Sequence, residues 1–146
     1  MNHLKSLYQE VILDHSKKPR NFGALDAPTH TARGHNPLCG DSLKIFAVLE
    51  NEVITQLNFI GEGCAISKAS ASLMTEMAKG KTLAEFAQLY EAFHHVVTSD
   101  EEVSDNMGKL AVLAGVREYP SRVKCATLAW HTLDAAIKQQ EIAQTE

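Results

Sequence analysis

The sequence predicts an α+β fold with a small antiparallel sheet of about three strands, covered on one face by four to six helices. The periodic segments run as one helix, then strands, then further helices, without the strand and helix alternation that builds a parallel sheet. A chain of 146 residues with 45% hydrophobic content can bury one core and does not need a second. We therefore expect residues 1–146 to form one domain.

The first half of the chain is predicted to contain one helix and a hairpin. Apolar residues at helical spacing predict an N-terminal helix of about four turns that ends before Pro19. These residues are Leu4, Leu7, Tyr8, Val11 and Ile12. Residues 19–40 are rich in turn formers, and within them residues 29–33 are compatible with a strand. Alternating apolar residues over 43–49 and a β-rich run over 53–60 then predict an antiparallel hairpin.

The second half is predicted to be mostly helical. Helices are predicted over residues 65–79, 82–97 and 110–114, and a terminal helix starts close to Pro120 and Cys125. The second of these helices begins with the capping box Thr82-Leu83-Ala84-Glu85. The acidic residues 99–102 are expected in a solvated turn, and the polar tail after Gln139 is expected to fray.

The composition excludes several classes of function. A net charge of -4 and a pI near 6.0 supply no broad basic face for a phosphate backbone, so we expect no nucleic-acid partner. No apolar run approaches the length of a membrane span, and the first residues lack the continuous apolar segment of a signal peptide. The three cysteines are an odd, sparse set that fits a reducing compartment better than a disulfide framework. We expect a cytoplasmic protein without membrane association.

All three cysteines are expected at junctions between elements. Cys39 lies in the turn Asn36-Pro37-Leu38-Cys39-Gly40-Asp41, which also presents the carboxylate of Asp41. Cys64 follows a Gly-x-Gly bend and opens a helix, and Cys125 lies near the start of the last helix, shortly after two basic residues. Because helix N-termini and nearby cations favour thiolate over thiol, we expect Cys64 and Cys125 to be reactive.

Two interpretations of these residues are open at this level. Free Cys is among the most buried residue types, so the three thiols are compatible with an apolar, structural role. Three soft sulfur ligands and one carboxylate oxygen also make a four-coordinate set suited to Zn²⁺, and the thiolates alone are suited to an iron–sulfur cluster. The spacing, which lacks CxxC pairs, does not decide between these interpretations.

Longer local sequences surround the cysteines. They are Asn36-Pro37-Leu38-Cys39-Gly40-Asp41, Gly61-Glu62-Gly63-Cys64-Ala65-Ile66-Ser67-Lys68-Ala69-Ser70-Ala71-Ser72 and Arg122-Val123-Lys124-Cys125-Ala126-Thr127-Leu128-Ala129-Trp130. In order and spacing they resemble the three cysteine motifs of the IscU/SufU (NifU N-terminal-like) iron–sulfur cluster assembly family. The segment Leu7-Tyr8-Gln9-Glu10-Val11-Ile12-Leu13-Asp14-His15, followed by Lys18-Pro19-Arg20-Asn21, is similar to that family's first helix. The resemblance covers nearly the whole chain.

Within this family, the sequence resembles the SufU branch more than the IscU branch. The IscU branch has His immediately before its third cysteine, whereas this chain has Lys124 there, so that His ligand is absent. The interval from Cys64 to Cys125 is also longer than in the IscU branch, with an insertion that includes the acidic residues near 100–105.

For SufU-like proteins, the resemblance implies a tightly bound Zn²⁺ held by residues that map onto Cys39, Asp41, Cys64 and Cys125. It also implies a sulfur carrier that works with a SufS-type cysteine desulfurase, rather than a stand-alone enzyme, and that serves downstream iron–sulfur assembly or acceptor proteins. In that mechanism the desulfurase lends a His to the zinc, and the thiolate of Cys39 leaves the metal to attack the enzyme's persulfide. Arg122 is expected either to support that thiolate or persulfide, or to be an ordinary surface arginine.

Two other functions are compatible with the same residues. The three cysteines can hold a transient iron–sulfur cluster that is assembled and passed on, which is a scaffold function. A purely structural zinc is weakened as an alternative because a chain of this size has a sufficient core without a metal. His35, His94 and His95 are expected outside the ligand set, and Trp130 is expected in the core.

Overall fold

The chain follows the predicted order of one helix, strands and then further helices. A computed structural model describes residues 2–102, 108–140 and 142–144. The elements are α1 (Asn2–Lys17), β1 (His30–Asn36), β2 (Asp41–Glu50), β3 (Val53–Glu62), α2 (Ala65–Ala78), α3 (Leu83–Thr98), α4 (Lys109–Leu113), α5 (Val123–Ile137) and β4 (Ile142–Gln144). Two short 3-10 turns, Ala114–Glu118 and Pro120–Arg122, join α4 to α5. The α+β class is confirmed, and within the described ranges no helix is both long and apolar enough to cross a membrane.

The sheet contains four strands in the order β3-β2-β1-β4. Strands β1, β2 and β3 pair antiparallel, as predicted. The prediction that the tail after Gln139 frays is wrong for β4, which pairs parallel with residues 33–35 of β1. An edge strand leaves main-chain N–H and C=O groups unpaired, and β4 satisfies those of β1. These main-chain bonds do not depend on side-chain polarity, so the polar composition of the tail does not indicate them.

Helices cover one face of the sheet and bury the large apolar side chains there. Helix α5 packs on β1 and β2, α2 packs on β3, and α1 packs on α2. Trp130 of α5 is fully buried, as predicted, and stacks on Phe93 with ring centroids 4.2 Å apart. Its indole N–H donates to Ser70 Oγ at 3.1 Å. The small residue Ser70 also bonds α2 to α5, because its Oγ donates to the main-chain carbonyl of Ala126 at 2.6 Å.

Helix α3 begins at the predicted capping box, and an exposed acidic segment follows it, as the sequence predicts. Thr82 Oγ1 accepts the N–H of Glu85 at 3.0 Å, and Glu85 Oε1 accepts the N–H of Thr82 at 2.9 Å, which is the predicted capping box. Residues 100–102 after α3 are exposed and have no regular structure, as expected for a solvated segment. The insertion expected near residues 100–105 falls partly on residues 103–107, which lie outside the described residues.

One end of the sheet gathers the junctions that carry the cysteines. The antiparallel pairing of β1 with β2 extends to Asn36 and Asp41, and that of β2 with β3 extends to Ser42 and Glu62. The β1–β2 turn and the β3–α2 connection therefore lie side by side. Helix α5 packs across β1 and brings its first turn to the same end.

Candidate metal centre

Cys39 is presented by the short turn that joins β1 to β2. The main-chain carbonyl of Asn36 accepts the N–H of Cys39 at 3.3 Å and that of Gly40 at 2.9 Å, which closes the turn. Gly40 has a φ of +74°, a left-handed conformation that glycine adopts without strain. Cys39 is only partly buried, and the neighbouring Leu38 is 73% exposed. The turn therefore places this thiol at the surface.

Asp41 begins β2 and is fully buried, yet its carboxylate has polar partners. Oδ1 accepts the N–H of Cys64 at 2.8 Å, and Oδ2 lies 3.9 Å from Cys64 Sγ. Gly63 makes this arrangement possible, because a Cβ at that position would overlap Oδ1 of Asp41. The Gly-x-Gly bend that the sequence indicates thus also provides the space for a buried carboxylate.

Cys64 is the N-cap residue of α2, as its position in the sequence predicts. Its Sγ accepts the N–H of Ser67 at 3.4 Å, so the sulfur lies at the positive end of a helix. Its own N–H is bonded to Asp41. Cys64 is therefore anchored on both sides, with its sulfur next to the carboxylate.

Cys125 lies in the first turn of α5 and is fully buried. Its Sγ is 3.1 Å from Cys39 Sγ, well beyond the roughly 2.05 Å of a disulfide bond. The side-chain amide of Asn36 donates to Cys125 Sγ at 3.6 Å. Burial raises the pKa of the Cys125 thiol, and hydrogen bonds with Cys39 and Asp41 raise it further. For the side chains by themselves, burial thus favours the neutral thiol at Cys125, opposite to the direction expected from the helix N-terminus.

Arg122 faces the thiols from the 3-10 turn before α5. Its Nη1–H donates to Cys39 Sγ at 3.7 Å. A hydrogen bond with Cys125 and the charges of the nearby cysteines raise the pKa of Arg122, so it is a fixed positive charge. Arg122 is thus an exposed arginine that contacts the Cys39 thiol, and its support of a thiolate or persulfide stays a prediction.

The donor atoms of Cys39, Asp41 and Cys125 all lie within 4.8 Å of one another and can hold a metal ion. Neighbouring ligands of a tetrahedral Zn²⁺ are about 3.8 Å apart, a distance that follows from Zn–S bonds of about 2.3 Å. Cys64 lies next to these three residues, with its Sγ 3.9 Å from Oδ2 of Asp41. Three sulfur atoms and one buried carboxylate therefore fit a borderline-soft divalent cation. These four residues form the candidate metal centre.

Histidine does not contribute to this group of donor atoms among the residues that the structure describes. His35 is exposed on β1, and His94 and His95 are exposed on α3, in agreement with the expectations for all three. Lys124, which precedes Cys125, offers no imidazole.

Sequence reasoning missed the contributions of Asn36 and Gly63. The sequence indicates both only as turn or bend residues. In the structure, Asn36 is fully buried with its amide against Cys125, and Gly63 lacks the Cβ that would overlap Asp41. The one available sequence signal is proximity, because both residues lie within the cysteine motifs.

The chain matches the family described as the NifU-like N terminal domain over residues 7–126. Because this match covers most of the sequence, the protein belongs to the NifU-like N-terminal domain family. The resemblance seen in the cysteine motifs is thereby confirmed.

Two relatives and one solved structure show which members of the family are similar. The chain is 37% identical to the zinc-dependent sulfurtransferase SufU of Bacillus subtilis, over 94% of each protein. It is 38% identical to the iron–sulfur cluster assembly scaffold protein IscU of Streptococcus pyogenes, over 99% of this chain and 91% of that protein. A crystal structure from Fervidobacterium islandicum, described as an iron–sulfur cluster assembly scaffold protein for the SUF system, is 32% identical. It superimposes with a TM-score of 0.82 over 88% of this chain and 94% of its own.

Proposed function

We propose that this protein accepts sulfur from the persulfide of a SufS-type cysteine desulfurase, with Zn²⁺ bound at the candidate metal centre. The observation that carries the proposal is the unequal placement of two sulfur atoms 3.1 Å apart. Cys39 is partly exposed on a turn, whereas Cys125 is fully buried in a helix. One donor set therefore combines an anchored ligand with a thiol that a partner protein can reach. The protein works with the desulfurase and is not a stand-alone enzyme.

The zinc ion would be held by Cys39, Asp41, Cys64 and Cys125. When bound, zinc supplies positive charge that keeps the thiols deprotonated and protects them from oxidation. The burial of Asp41 and Cys125 supports a cation here, because a buried carboxylate or thiolate is costly without a compensating charge. The Bacillus subtilis relative, which is named a zinc-dependent sulfurtransferase, supports the same choice of metal.

The transfer step needs only the Cys39 thiolate and the partner's persulfide. The thiolate attacks the outer sulfur, a new S–S bond forms on Cys39, and the S–S bond of the desulfurase persulfide breaks. The desulfurase cysteine leaves as a thiolate, so the exchange consumes no oxidant or reductant. Arg122, whose Nη1 is 3.7 Å from Cys39 Sγ, supplies positive charge for the anionic sulfur. The neighbouring Leu38 is 73% exposed, so a partner can reach the turn that carries Cys39.

A second candidate function is a scaffold on which an iron–sulfur cluster is assembled and passed to acceptor proteins. It is favoured by three thiols at one centre, since thiolates are the usual ligands of such clusters. The names of the Streptococcus pyogenes and Fervidobacterium islandicum proteins also support it. Lys124 weakens it, because no imidazole is available next to Cys125. We place either reaction in the cytoplasm, where thiols stay reduced.

A desulfurase assay tests the first function. The zinc-loaded protein is added to a SufS-type desulfurase with cysteine and a reductant, and the rate of sulfide release is measured. We expect the unmodified protein to raise turnover and the Cys39→Ser and Asp41→Ala variants to abolish the gain. Asp26→Ala removes an exposed carboxylate from the segment before β1 and should retain the full gain. Stimulation that persists with Cys39→Ser would contradict the proposal.

Anaerobic reconstitution with iron and sulfide tests the second function. A cluster that forms on the protein and transfers intact to an apo-acceptor would support the scaffold. Failure to form a cluster while zinc is retained would count against it.

A further inference from the structure

Asn36 is a fully buried residue at the end of β1, opposite Asp41 across the β1–β2 turn. Its side-chain Oδ1 accepts the N–H of Leu38 at 3.2 Å, and its Nδ2–H donates to Cys125 Sγ at 3.6 Å. If the Asn36 amide were turned over, its NH₂ group would face the N–H of Leu38, and two donors would meet without an acceptor. These bonds therefore fix the NH₂ group toward the sulfur of Cys125. The Asn36 side chain therefore connects the turn that carries Cys39 to the buried thiol of Cys125.

The two neighbouring sulfur atoms differ in one contact, the hydrogen bond from the side-chain amide of Asn36 to Cys125. Cys125 receives a neutral amide that is held in place by its second bond to the turn. Cys39 receives the guanidinium of Arg122, which approaches from the exposed side. The Asn36 amide occupies one direction of approach to Cys125 Sγ and holds that sulfur in place, which hinders its attack on another sulfur. The contacts of Cys39 Sγ are instead Arg122 Nη1 at 3.7 Å and the Cys125 thiol at 3.1 Å.

On the basis of the proposed sulfur transfer, we infer that Asn36 is a positioning residue that makes Cys39, and not Cys125, the sulfur acceptor. The Nδ2–H bond retains Cys125 as a ligand, while Oδ1 shapes the turn that presents Cys39. Asn36 acts through these two cysteines and does not touch the transferred sulfur. The inference thus adds one buried side chain to the difference in exposure that already separates the two thiols.

Two variants separate the amide donor from the turn. Asn36→Asp has almost the same size and keeps an oxygen for the N–H of Leu38, but it has no N–H for Cys125. Asn36→Ser also keeps an acceptor for the turn, carries no charge and is too short to reach Cys125. Asn51→Asp is the matched control, because Asn51 is exposed in the β2–β3 turn at the other end of the sheet.

Inorganic polysulfide serves as the sulfur donor, so the test does not depend on the desulfurase. A cysteine thiolate takes one sulfur atom from the polysulfide, and the shortened polysulfide leaves. Zinc-loaded proteins are treated, alkylated and digested, and mass spectrometry locates the persulfide. We expect it on Cys39 in the unmodified protein and in Asn51→Asp. In both Asn36 variants the ratio of persulfide on Cys125 to that on Cys39 should rise about tenfold, as expected when one hydrogen bond to a charged group is lost.

Cobalt-loaded samples provide a second measurement, since thiolate-to-cobalt charge-transfer bands report whether the sulfur ligands still assemble. Persulfide that stays on Cys39 alone in Asn36→Ser, with these bands intact, would overturn the inference. If Asn36→Asp does not fold, the neutral Asn36→Ser variant decides. Failure of the proposed function has a different appearance, because the unmodified protein would take sulfur from polysulfide on Cys39 without stimulating the desulfurase.

Discussion

Replacing Gly63 with alanine is expected to weaken both the fold and the candidate metal centre. A Cβ at this position would overlap Oδ1 of Asp41 and lie 3.0 Å from its Cγ. Asp41 is fully buried at the start of β2, so its carboxylate has little space into which it can move. Relief of the overlap would therefore stretch or break the bond from the N–H of Cys64 to Oδ1, now 2.8 Å long.

The size of the effect follows from these contacts. A hydrogen bond to a charged group contributes about 1.5–3 kcal/mol, and one extra methyl group in a packed site costs about 1–3 kcal/mol. Movement of either the carboxylate or the loop relieves part of the overlap, so the cost of the lost hydrogen bond and the cost of the added methyl group are not fully additive. We expect Gly63→Ala to lower the free energy of unfolding by about 2–4 kcal/mol. Zinc affinity should fall about 10–100-fold, as is typical when the support of a metal ligand is disturbed.

Urea denaturation of chelated protein, followed by circular dichroism, measures the stability, and competition with a chromophoric chelator measures zinc affinity. Gly23→Ala is the matched control, because Gly23 also has a positive φ, +136° against +158°, but its Cβ would have no neighbour within 4 Å. In an Asp41→Ala background the cost of Gly63→Ala should shrink, since the overlapping carboxylate is gone. Equal losses for the two glycine variants, or full additivity with Asp41→Ala, would refute the reasoning.

Two further predictions concern pH and metal removal. His15 is 1% exposed, and its Nδ1 lies 2.7 Å from Ser72 Oγ and its Nε2 3.8 Å from Glu76 Oε1. Burial lowers the pKa of this imidazole, and the positive charges of Arg20 and Lys109 lower it further. The unfolded chain protonates this ring near its ordinary pKa of about 6.5, whereas the folded state does so only at lower pH. Stability should therefore fall as the pH decreases from that value to the lowered pKa of the folded state, by at most about 1.4 kcal/mol per pH unit. Urea denaturation of chelated protein at several pH values measures this dependence, which should be weaker in His15→Gln. An equal pH dependence in the two proteins would contradict the assignment to His15. Removal of zinc by chelation should lower the melting temperature but leave a cooperative unfolding transition, because the described core is extensive without the metal. Loss of the circular dichroism signal on chelation would instead indicate a structural zinc.

Most element boundaries follow from sequence signals that act over a few residues. The capping box at Thr82 starts α3, and the helical spacing before Pro19 gives α1. Alternation of apolar residues indicates the β2–β3 hairpin, and Cys64 is the N-cap of α2, as its position after the Gly-x-Gly bend predicts. These features are readable because caps, turns and periodicity are determined by neighbours in the chain.

The sequence by itself also determined which residues can form the candidate metal centre. Motifs at three junctions identify three cysteines and one aspartate, and Lys124 and the long interval from Cys64 to Cys125 carry the resemblance to the SufU branch. Ligation by these residues stays a prediction, since the structure shows only that their donor atoms converge.

Tertiary structure alone decided how these residues differ from one another. Asn36 and Cys125 are 89 positions apart, and their contact exists only because α5 packs across the end of β1. The overlap that Gly63 avoids arises where the β3–α2 connection passes the carboxylate of Asp41, and β4 exists only beside the edge of β1. Local reasoning expects a thiolate at Cys125 from its helix position, but burial by distant segments raises its pKa instead. Burial and long-range hydrogen bonds depend on which segments meet in space, and spacing along the chain does not encode that directly.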